Sequence, residues 1–306
     1  MSVRPQSWFL QTFGKCRTAV RARPIEPPTY GIGSGLRLRG HKRVAATVVL
    51  AALPLLLPTF VKPAPAQSPP ALREFRDCAD CPVMVEIPGR MVIGKYPITR
   101  GEFRVFAKAT GLVSEGCILR GEQNNRYEAA DANWLAPGFE QADDHPVICV
   151  NWLEATAYAD WLTERTGKLY RLPTFEESSA AAAAGTSTAF WWGEEFDNAC
   201  AHANIADAQF RKAYPKDERK IPGCDDGYVH TSPVTTFPAN EWGLHDMAGN
   251  VWNWTNSCLK GDCSNAIFRG AGWDVPFSKL FRSDYSFGDR IVLRNDVIGF
   301  RVLRED

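Results

Sequence analysis

Residues 243–254 read Gly-Leu-His-Asp-Met-Ala-Gly-Asn-Val-Trp-Asn-Trp, a segment punctuated by glycine and rich in aromatic residues. Gly243 and Gly249 permit backbone angles that a side chain would forbid. Trp252 and Trp254 are two residues apart, so in a strand they would share one face and bury large apolar areas. Each indole N–H would also need a hydrogen-bond partner. On composition alone, the segment is typical of a tightly packed core turn.

The order of these residues closely resembles GLYDMxGNVWEW, the signature of the formylglycine-generating enzyme family, also called the sulfatase-modifying-factor family. Other blocks resemble the same family in the same order, at residues 83–94, 96–106, 145–161, 171–174, 268–273 and 298–301. The resemblance implies a distorted C-type-lectin-like fold with much irregular structure. The residue pattern by itself predicts a single α+β domain.

Local signals place several elements. Residues 84–93 alternate around Pro88-Gly89, which predicts a hairpin. Three capping boxes predict helix starts, because each pairs an N-cap oxygen with a glutamate three residues later: Thr99 with Glu102, Asn151 with Glu154, and Thr174 with Glu177. Residues 146–150 fit a short buried strand, and the polar stretch 112–144 fits a long irregular loop.

The first part of the chain indicates export. Residues 37–43 supply basic side chains, 44–58 an apolar run, and 64–66 the small residues of a cleavage site, as a secretory signal requires. Pro54 and Pro58 shorten the run below the ~20 residues of a spanning helix, although an uncleaved membrane anchor remains the alternative. We expect residues 1–43 to be a disordered N-terminal extension or the product of a start codon assigned too far upstream. Residues 44–66 should be the signal core, with cleavage after Ala66, followed by a linker (67–82) and the family domain (83–306).

Removal of the leader changes the net charge. Residues 1–66 hold ten Lys or Arg and one acid, which leaves 25 basic and 34 acidic residues. An acidic domain without a basic stripe is a poor nucleic-acid binder. The sequence therefore predicts a periplasmic or envelope location and a protein or peptide partner there. It predicts no nucleic acid, and membrane contact only if the leader stays attached.

Eight of the nine cysteines follow the leader. An even number in an exported chain indicates disulfides. Sequence does not fix the connectivity, and some of the thiols could be free and buried. Proximity along the chain suggests the pairs Cys78–Cys81, Cys117–Cys149, Cys200–Cys224 and Cys258–Cys263.

The family resemblance also implies two structural calcium sites, which hard oxygen ligands would hold. The first would use the side chains of Asn204 and Asp226 with the carbonyls of Ile205 and Tyr228. The second would use the side chains of Asp246 and Asn253 with the carbonyls of Gly249 and Val251. Asn253 stands where the family usually has glutamate, so the second site should bind calcium more weakly. The alternative is that these groups only satisfy turns by hydrogen bonds.

Family enzymes oxidise a substrate cysteine with a copper-binding Cys-x4-Cys pair, because soft thiolates suit Cu(I). The matching positions here are Val275 and Leu280, and no cysteine follows Cys263. Cys258 and Cys263 have the Cys-x4-Cys spacing, but they lie before the segment 268–273, whereas the copper-binding pair of the family follows that segment. Their short polar loop favours a disulfide-closed turn, so copper is not expected.

Three functional hypotheses follow. The resemblance extends to family members that lack the cysteine pair and serve the bacterial envelope, so we favour an atypical binding or maturation factor for an envelope protein. The alternatives are a formylglycine-generating oxidase and an enzyme of other chemistry. The last would use a cleft lined by Arg269, Trp273, Arg282, Asp284, Tyr285 and Arg301, although these arginines could instead form structural ion pairs with Asp284 or Asp289.

Overall fold

The computed structural model describes residues 72–89 and 91–305. The N-terminal extension, the signal segment and residues 67–71 of the linker lie outside the described residues. The strands are β1 (Arg73–Phe75), β2 (Met84–Ile87), β3 (Met91–Gly94), β4 (Cys117–Arg120), β5 (Arg126–Ala129), β6 (Tyr170–Arg171), β7 (Trp252–Leu259), β8 (Asp262–Arg269), β9 (Phe287–Arg290), β10 (Ile298–Phe300) and β11 (Leu303–Arg304). The helices are α1 (Arg100–Thr110), α2 (Trp152–Thr166), α3 (Phe175–Ala183) and α4 (Ala208–Ala213), with short 3-10 turns at Ala199–Ala201 and Ser278–Phe281.

The strands form three sheets. A five-stranded sheet has the order β1-β2-β3-β11-β6, a four-stranded sheet the order β10-β7-β8-β9, and β4 pairs with β5 alone. All pairings are antiparallel except that of β10 with β7, which is parallel. Residues 298–304 thus enter both larger sheets, because β10 joins one and β11 the other. This mixture of short strands, few helices and long connections confirms the single α+β domain.

All three predicted capping boxes are present, and each begins a helix. In α1, the Thr99 hydroxyl accepts from the Glu102 N–H at 3.1 Å, and the Glu102 carboxylate accepts from the Thr99 N–H at 2.9 Å. Helices α1 and α2 end at left-handed Gly111 and Gly167, where glycine avoids the strain of a side chain. Each capping box spans only four residues, so the sequence alone can reveal it.

Two local predictions were wrong. The stretch 112–144 is not wholly irregular, because it contains the β4–β5 hairpin, with Cys117 and Leu119 buried on one face. Residues 146–150 form no strand and make only an isolated bridge between Pro146 and Thr99. Helix α4 was also missed, although its N-cap, Asp207, accepts from two backbone N–H groups of the first turn.

The tryptophan pair lies in the core as expected. Trp252 and Trp254 both lie edge-on to Phe268 across the sheet, with ring centroids 5.5 and 5.1 Å apart. The indole N–H of Trp254 donates to the carbonyl of Val150 at 3.1 Å. The buried aromatic side chains of α1 and α2, including Phe103 and Tyr158, extend this core. Strand β7 therefore anchors the four-stranded sheet to the helices.

The four disulfides pair Cys78 with Cys81, Cys117 with Cys149, Cys200 with Cys224, and Cys258 with Cys263. They are the pairs that proximity along the chain suggested. The bridge from β4 to Cys149 ties the β4–β5 hairpin to the segment that precedes α2. Within the described part of the chain, no helix is long and apolar enough to cross a membrane.

The turn before β7 is held by Asn250, which is fully buried. Its backbone N–H donates to the Asn204 carbonyl at 2.9 Å, and its carbonyl accepts from the Trp273 N–H at 2.9 Å. Its side-chain amide exchanges two hydrogen bonds with the backbone of Ser232, both at 3.1 Å. One residue thus joins three loops that are distant in sequence.

Gly249 allows this close approach. Its φ is +85°, and a Cβ added there would lie 2.6 Å from the Asn204 carbonyl oxygen. We predict that Gly249→Ala lowers the free energy of unfolding by about 3 kcal/mol or more, because left-handed strain and a backbone clash both contribute. Gly261→Ala is the matched control, since Gly261 has φ +83° and open space around it. It should cost only about 1 kcal/mol in a denaturant titration; equal losses in the two variants would contradict the prediction.

Candidate functional site

The first candidate calcium site lies between the Asn204 turn and the Asp226 turn. The Oδ1 atom of Asn204 is buried without a hydrogen-bond partner, while its Nδ2 donates to the His230 carbonyl at 2.7 Å. The Asp226 carboxylate accepts from the N–H groups of Ile205 at 2.7 Å and Tyr228 at 2.9 Å. Burial, with the nearby charges of Asp207 and Asp225, raises the pKa of Asp226 to about 7.

The second candidate site lies in the turn that leads into β7. Both carboxylate oxygens of Asp246 and the Oδ1 of Asn253 are buried without a partner. The amide nitrogen of Asn253 donates to the Val251 carbonyl at 2.9 Å, which directs its oxygen away from that group. Burial raises the pKa of Asp246 to about 7, against the opposing effect of the Arg301 guanidinium.

Both sites fit a hard cation by their donor sets. Buried acceptors without donors are costly, and a calcium ion accepts carboxylate, amide and carbonyl oxygens. At the first site, Asn204, Asp226 and the carbonyls of Ile205 and Tyr228 would hold the ion and join the two turns. At the second, Asp246, Asn253 and the carbonyls of Gly249 and Val251 would do so once the Asn253 amide, which now donates to the Val251 carbonyl, turns its oxygen towards the ion. Cys200 lies near Asp207 and Asp226, but its sulfur is bonded to Cys224 and offers no thiolate.

Calcium removal should destabilise the protein, because a ligand that binds only the folded state stabilises it. We predict that chelation lowers the melting temperature by about 5 °C, as expected for an ion at about a hundredfold excess over its Kd. Asp226→Asn and Asp246→Asn should each reduce that shift. Asp225→Asn, beside the first site but outside its proposed ligands, is the control. No shift on chelation, with no calcium found by elemental analysis, would contradict both sites.

The positions where the family resemblance places the copper pair are buried. Val275 is 6% and Leu280 8% exposed, and neither side chain can bind a metal. Cys258 and Cys263 lie instead at the β7–β8 turn, and their sulfurs are bonded to each other. Among the described residues, no pair of free thiols is available to bind Cu(I), since all eight cysteines are in disulfides.

A network of charged side chains covers the segment that begins at Asp274. Arg120, from β4, donates to Asp274 at 2.7 Å and also to Asp217. Arg126, from β5, donates to Asp274 and to Asp296. The three carboxylates and Arg120 are each under 10% exposed. The β4–β5 hairpin is thereby held against the place where the catalytic cysteines would stand.

The environment shifts the pKa values of this network in opposite directions. Burial raises the pKa of Asp296 to about 6, with Arg126 opposing the effect. At Asp217, burial is outweighed by hydrogen bonds from Arg219 and by the charge of Arg120, so the pKa falls to about 2. Removing one partner of such a buried set leaves an uncompensated charge, which makes the network costly to break.

An aromatic stack lies beside the network. His230 stacks on Phe139 with ring centroids 4.1 Å apart and lies edge-on to Trp273. Its Nε2 is 2.9 Å from the Tyr214 hydroxyl, and burial lowers the pKa of His230 to about 4. The imidazole is therefore neutral near pH 7, and its Nε2 and the Tyr214 hydroxyl share one hydrogen bond.

The lowered pKa of His230 gives a pH dependence with a defined sign. The folded state resists protonation, so the stabilisation is complete above the usual histidine pKa and is lost as the pH falls from about 6.5 towards 4. We predict that the unfolding free energy drops by about 2 kcal/mol more in the wild type than in His230→Gln between pH 7 and pH 5. Urea titrations at both pH values measure this, and identical drops would be the contrary result.

The predicted cleft is not formed. Arg269, Trp273 and Arg301 are each under 3% exposed and lie inside the core. Arg301 donates to the carbonyl of Gly94 at 2.5 Å and to that of His245. The other residues lie towards the surface: Arg282 pairs with Asp284 at 2.9 Å, and Tyr285 is partly buried. The alternative, that these arginines form structural ion pairs, is correct for Arg282. The buried Arg269 and Arg301 donate hydrogen bonds to backbone carbonyls instead.

Sequence reasoning missed an open groove beside the β4–β5 hairpin. Its volume is about 1030 Å³, and its lining includes Arg100, Leu119, Tyr127, Leu135, Phe139 and Gln141. Tyr127 and Leu135 are about half exposed, whereas Leu119 and Gln141 are buried. The only sequence signal was the long polar stretch 112–144, which indicated function but not which residues would converge.

The two oxygen-lined turns and the α+β architecture define a protein of the formylglycine-generating-enzyme type. The chain belongs to that family, since the model of the sulfatase-modifying factor enzyme 1-like domain matches residues 76–306. It is 30% identical over 239 residues to a bovine protein named inactive C-alpha-formylglycine-generating enzyme 2, covering 67% of this chain and 74% of the relative.

Two further comparisons support the same family assignment. The chain is 30% identical over 207 residues to the formylglycine-generating enzyme of Thermomonospora curvata, covering 59% of this chain and 64% of that enzyme. The solved structure of PvdO from Pseudomonas aeruginosa superposes with a TM-score of 0.62 at 28% identity, over 76% of this chain and 98% of PvdO. Relatives named as enzymes and relatives named as inactive thus share this fold.

Proposed function

We propose that this protein is a non-oxidising member of the family that binds a protein or peptide partner in the cell envelope. The observation that carries the proposal is the region of the missing cysteine pair. Val275 and Leu280 stand there, both buried, and Arg120 and Arg126 close the region with ion pairs to Asp274. Among the described residues, no free thiolate at these positions supports copper binding.

Two further observations support the proposal. A relative that this chain matches over 67% of its length carries the name of an inactive enzyme, which supports a member of the family without the oxidase activity. The leader, with its basic and apolar segments, supports export, where four disulfides and calcium would stabilise the domain. The alternative of other chemistry has less support, since the side chains chosen for it are divided between the core and the surface.

The proposal predicts no conversion of a Cys-x-Pro-x-Arg peptide to formylglycine. Oxidation requires two thiolates that converge on one copper ion and leave it open to the substrate. The purified protein is incubated with the peptide, copper, oxygen and a reductant, and the peptide mass is followed by mass spectrometry. The thiol mass should persist with and without copper.

Cys258→Ser supplies the control. It removes the Cys-x4-Cys pair at the β7–β8 turn, so it should leave the peptide result unchanged. An aldehyde product with the wild type would overturn the proposal. If Cys258→Ser then abolished that product while the melting curve stayed cooperative, the pair at the turn would be catalytic.

A further inference from the structure

The connection between β1 and β2 contains the tetrapeptide Cys78–Cys81, Cys-Ala-Asp-Cys, and its two cysteines are bonded to each other. The ends of this connection are already joined, because Phe75 of β1 lies opposite Met84 of β2. A disulfide that closes so short a loop removes little entropy from the unfolded chain. This bond therefore contributes less to the fold than the bridge from β4, whose cysteines are 32 residues apart.

The two cysteines of this pair differ in exposure. Cys81 is 0% exposed, whereas Cys78 is partly exposed and the two residues between them are exposed. In thiol–disulfide exchange, an incoming thiolate attacks the sulfur that it can reach. The turn thus presents Cys78 to a reagent in solution and shelters Cys81 as the second sulfur. Cys258 and Cys263 are also close in sequence, but neither of them is buried.

Polar contacts hold this turn without help from the sulfur atoms. The guanidinium of Arg76 donates to the carbonyl of Cys81, and the N–H of Cys81 donates to the carbonyl of Cys78 at 3.2 Å. Asp80, between the cysteines, pairs with Arg165 of α2 at 2.9 Å. The turn should therefore keep its shape when the disulfide opens, and the two thiols would stay close enough to form the bond again.

We propose that Cys78 and Cys81 are a redox pair that accepts two electrons from a dithiol in a partner protein. A partner thiolate attacks the Sγ of Cys78, the bond to Cys81 breaks, and Cys81 leaves as a thiolate. The second partner thiolate then attacks the partner sulfur of the mixed disulfide and releases Cys78. The partner dithiol becomes a disulfide, and the two protons that it loses pass to Cys78 and Cys81.

This reaction is separate from the oxidation that the protein is proposed to lack. Its product is a disulfide and not an aldehyde, and the electrons pass from one pair of sulfurs to another without a metal or oxygen. The inference therefore goes beyond the proposed binding function, because it assigns a chemical step to the β1–β2 connection.

The test mixes the purified oxidised protein with an equal amount of reduced Gly-Trp-Cys-Gly-Gly-Cys-Lys peptide, without oxygen or copper. Mass spectrometry should show that the peptide loses two hydrogen atoms. Alkylation of the protein with iodoacetamide, followed by peptide mapping, should place the new label on Cys78 and Cys81. A peptide that stays reduced, or label found elsewhere while this pair stays bonded, would overturn the inference.

Two single variants test the assigned roles. In Cys81→Ser, the accessible Cys78 thiol should react with oxidised glutathione about tenfold faster than the Cys81 thiol of Cys78→Ser, because exchange depends on access to the thiolate. Both variants lose the same bond, so loss of the bond itself does not explain a difference between them. Their melting temperatures should stay within a few degrees of the wild type, since the contacts of Arg76 and Asp80 remain. Equal rates would contradict the inference.

A pair of double variants separates this site from the other closely spaced bridge. Cys78→Ser combined with Cys81→Ser should abolish oxidation of the peptide, whereas Cys258→Ser combined with Cys263→Ser should leave its yield unchanged. The reverse pattern would overturn the inference and assign the reaction to the β7–β8 turn. Because copper and oxygen are absent, no result here bears on formylglycine formation, so the two proposals can fail independently.

Discussion

The hydrogen bonds of Asn250 are the constraint on which much of the structure depends. The residue is buried, and it links the Asn204 loop, the Ser232 loop and the start of the Trp273 segment. In a chain with few long helices, such a residue replaces the regular ladder of hydrogen bonds that a sheet or bundle would provide. Both candidate calcium sites lie beside it in sequence or space, so the residues that would bind metal and those that pack the loops are parts of one arrangement.

The sequence predicted the features that depend on residues close together in the chain. The capping boxes at Thr99, Asn151 and Thr174 follow from residues three apart, and the hairpin of β2 and β3 follows from alternation around one turn. The family motif then supplied the architecture, because a fixed order of residues carries long-range information that periodicity does not. Residues 112–144 lack both kinds of signal, which is why the β4–β5 hairpin was not predicted.

The site was harder to predict because its contacts are distant in sequence. Arg120 and Asp274 are 154 residues apart, and no local pattern indicates which arginine meets which carboxylate. The same lack of long-range information explains why the cleft predicted from the sequence was wrong. Arg269 and Arg301 resemble binding residues when the charges are read from the sequence, yet both are buried and donate to backbone carbonyls. Burial of an arginine depends on packing that a single sequence does not reveal.

The segment where the family resemblance places the copper pair begins beside a network of buried charges. Three carboxylates and the arginines of β4 and β5 meet around Asp274, the residue before Val275. Such a network contributes little net stability, but its geometry specifies one position for the hairpin, since each charge is costly to leave unpaired. The hairpin so held forms one side of the open groove.

The strands β10 and β11 have a consequence for the order in which the molecule is made. Residues 298–304 pair with β7 in one sheet and with β3 and β6 in the other. Neither sheet reaches its full width until these late residues have left the ribosome, so the domain completes its fold only after almost all of it has been synthesised. The two larger sheets are therefore completed together, when one short segment joins both.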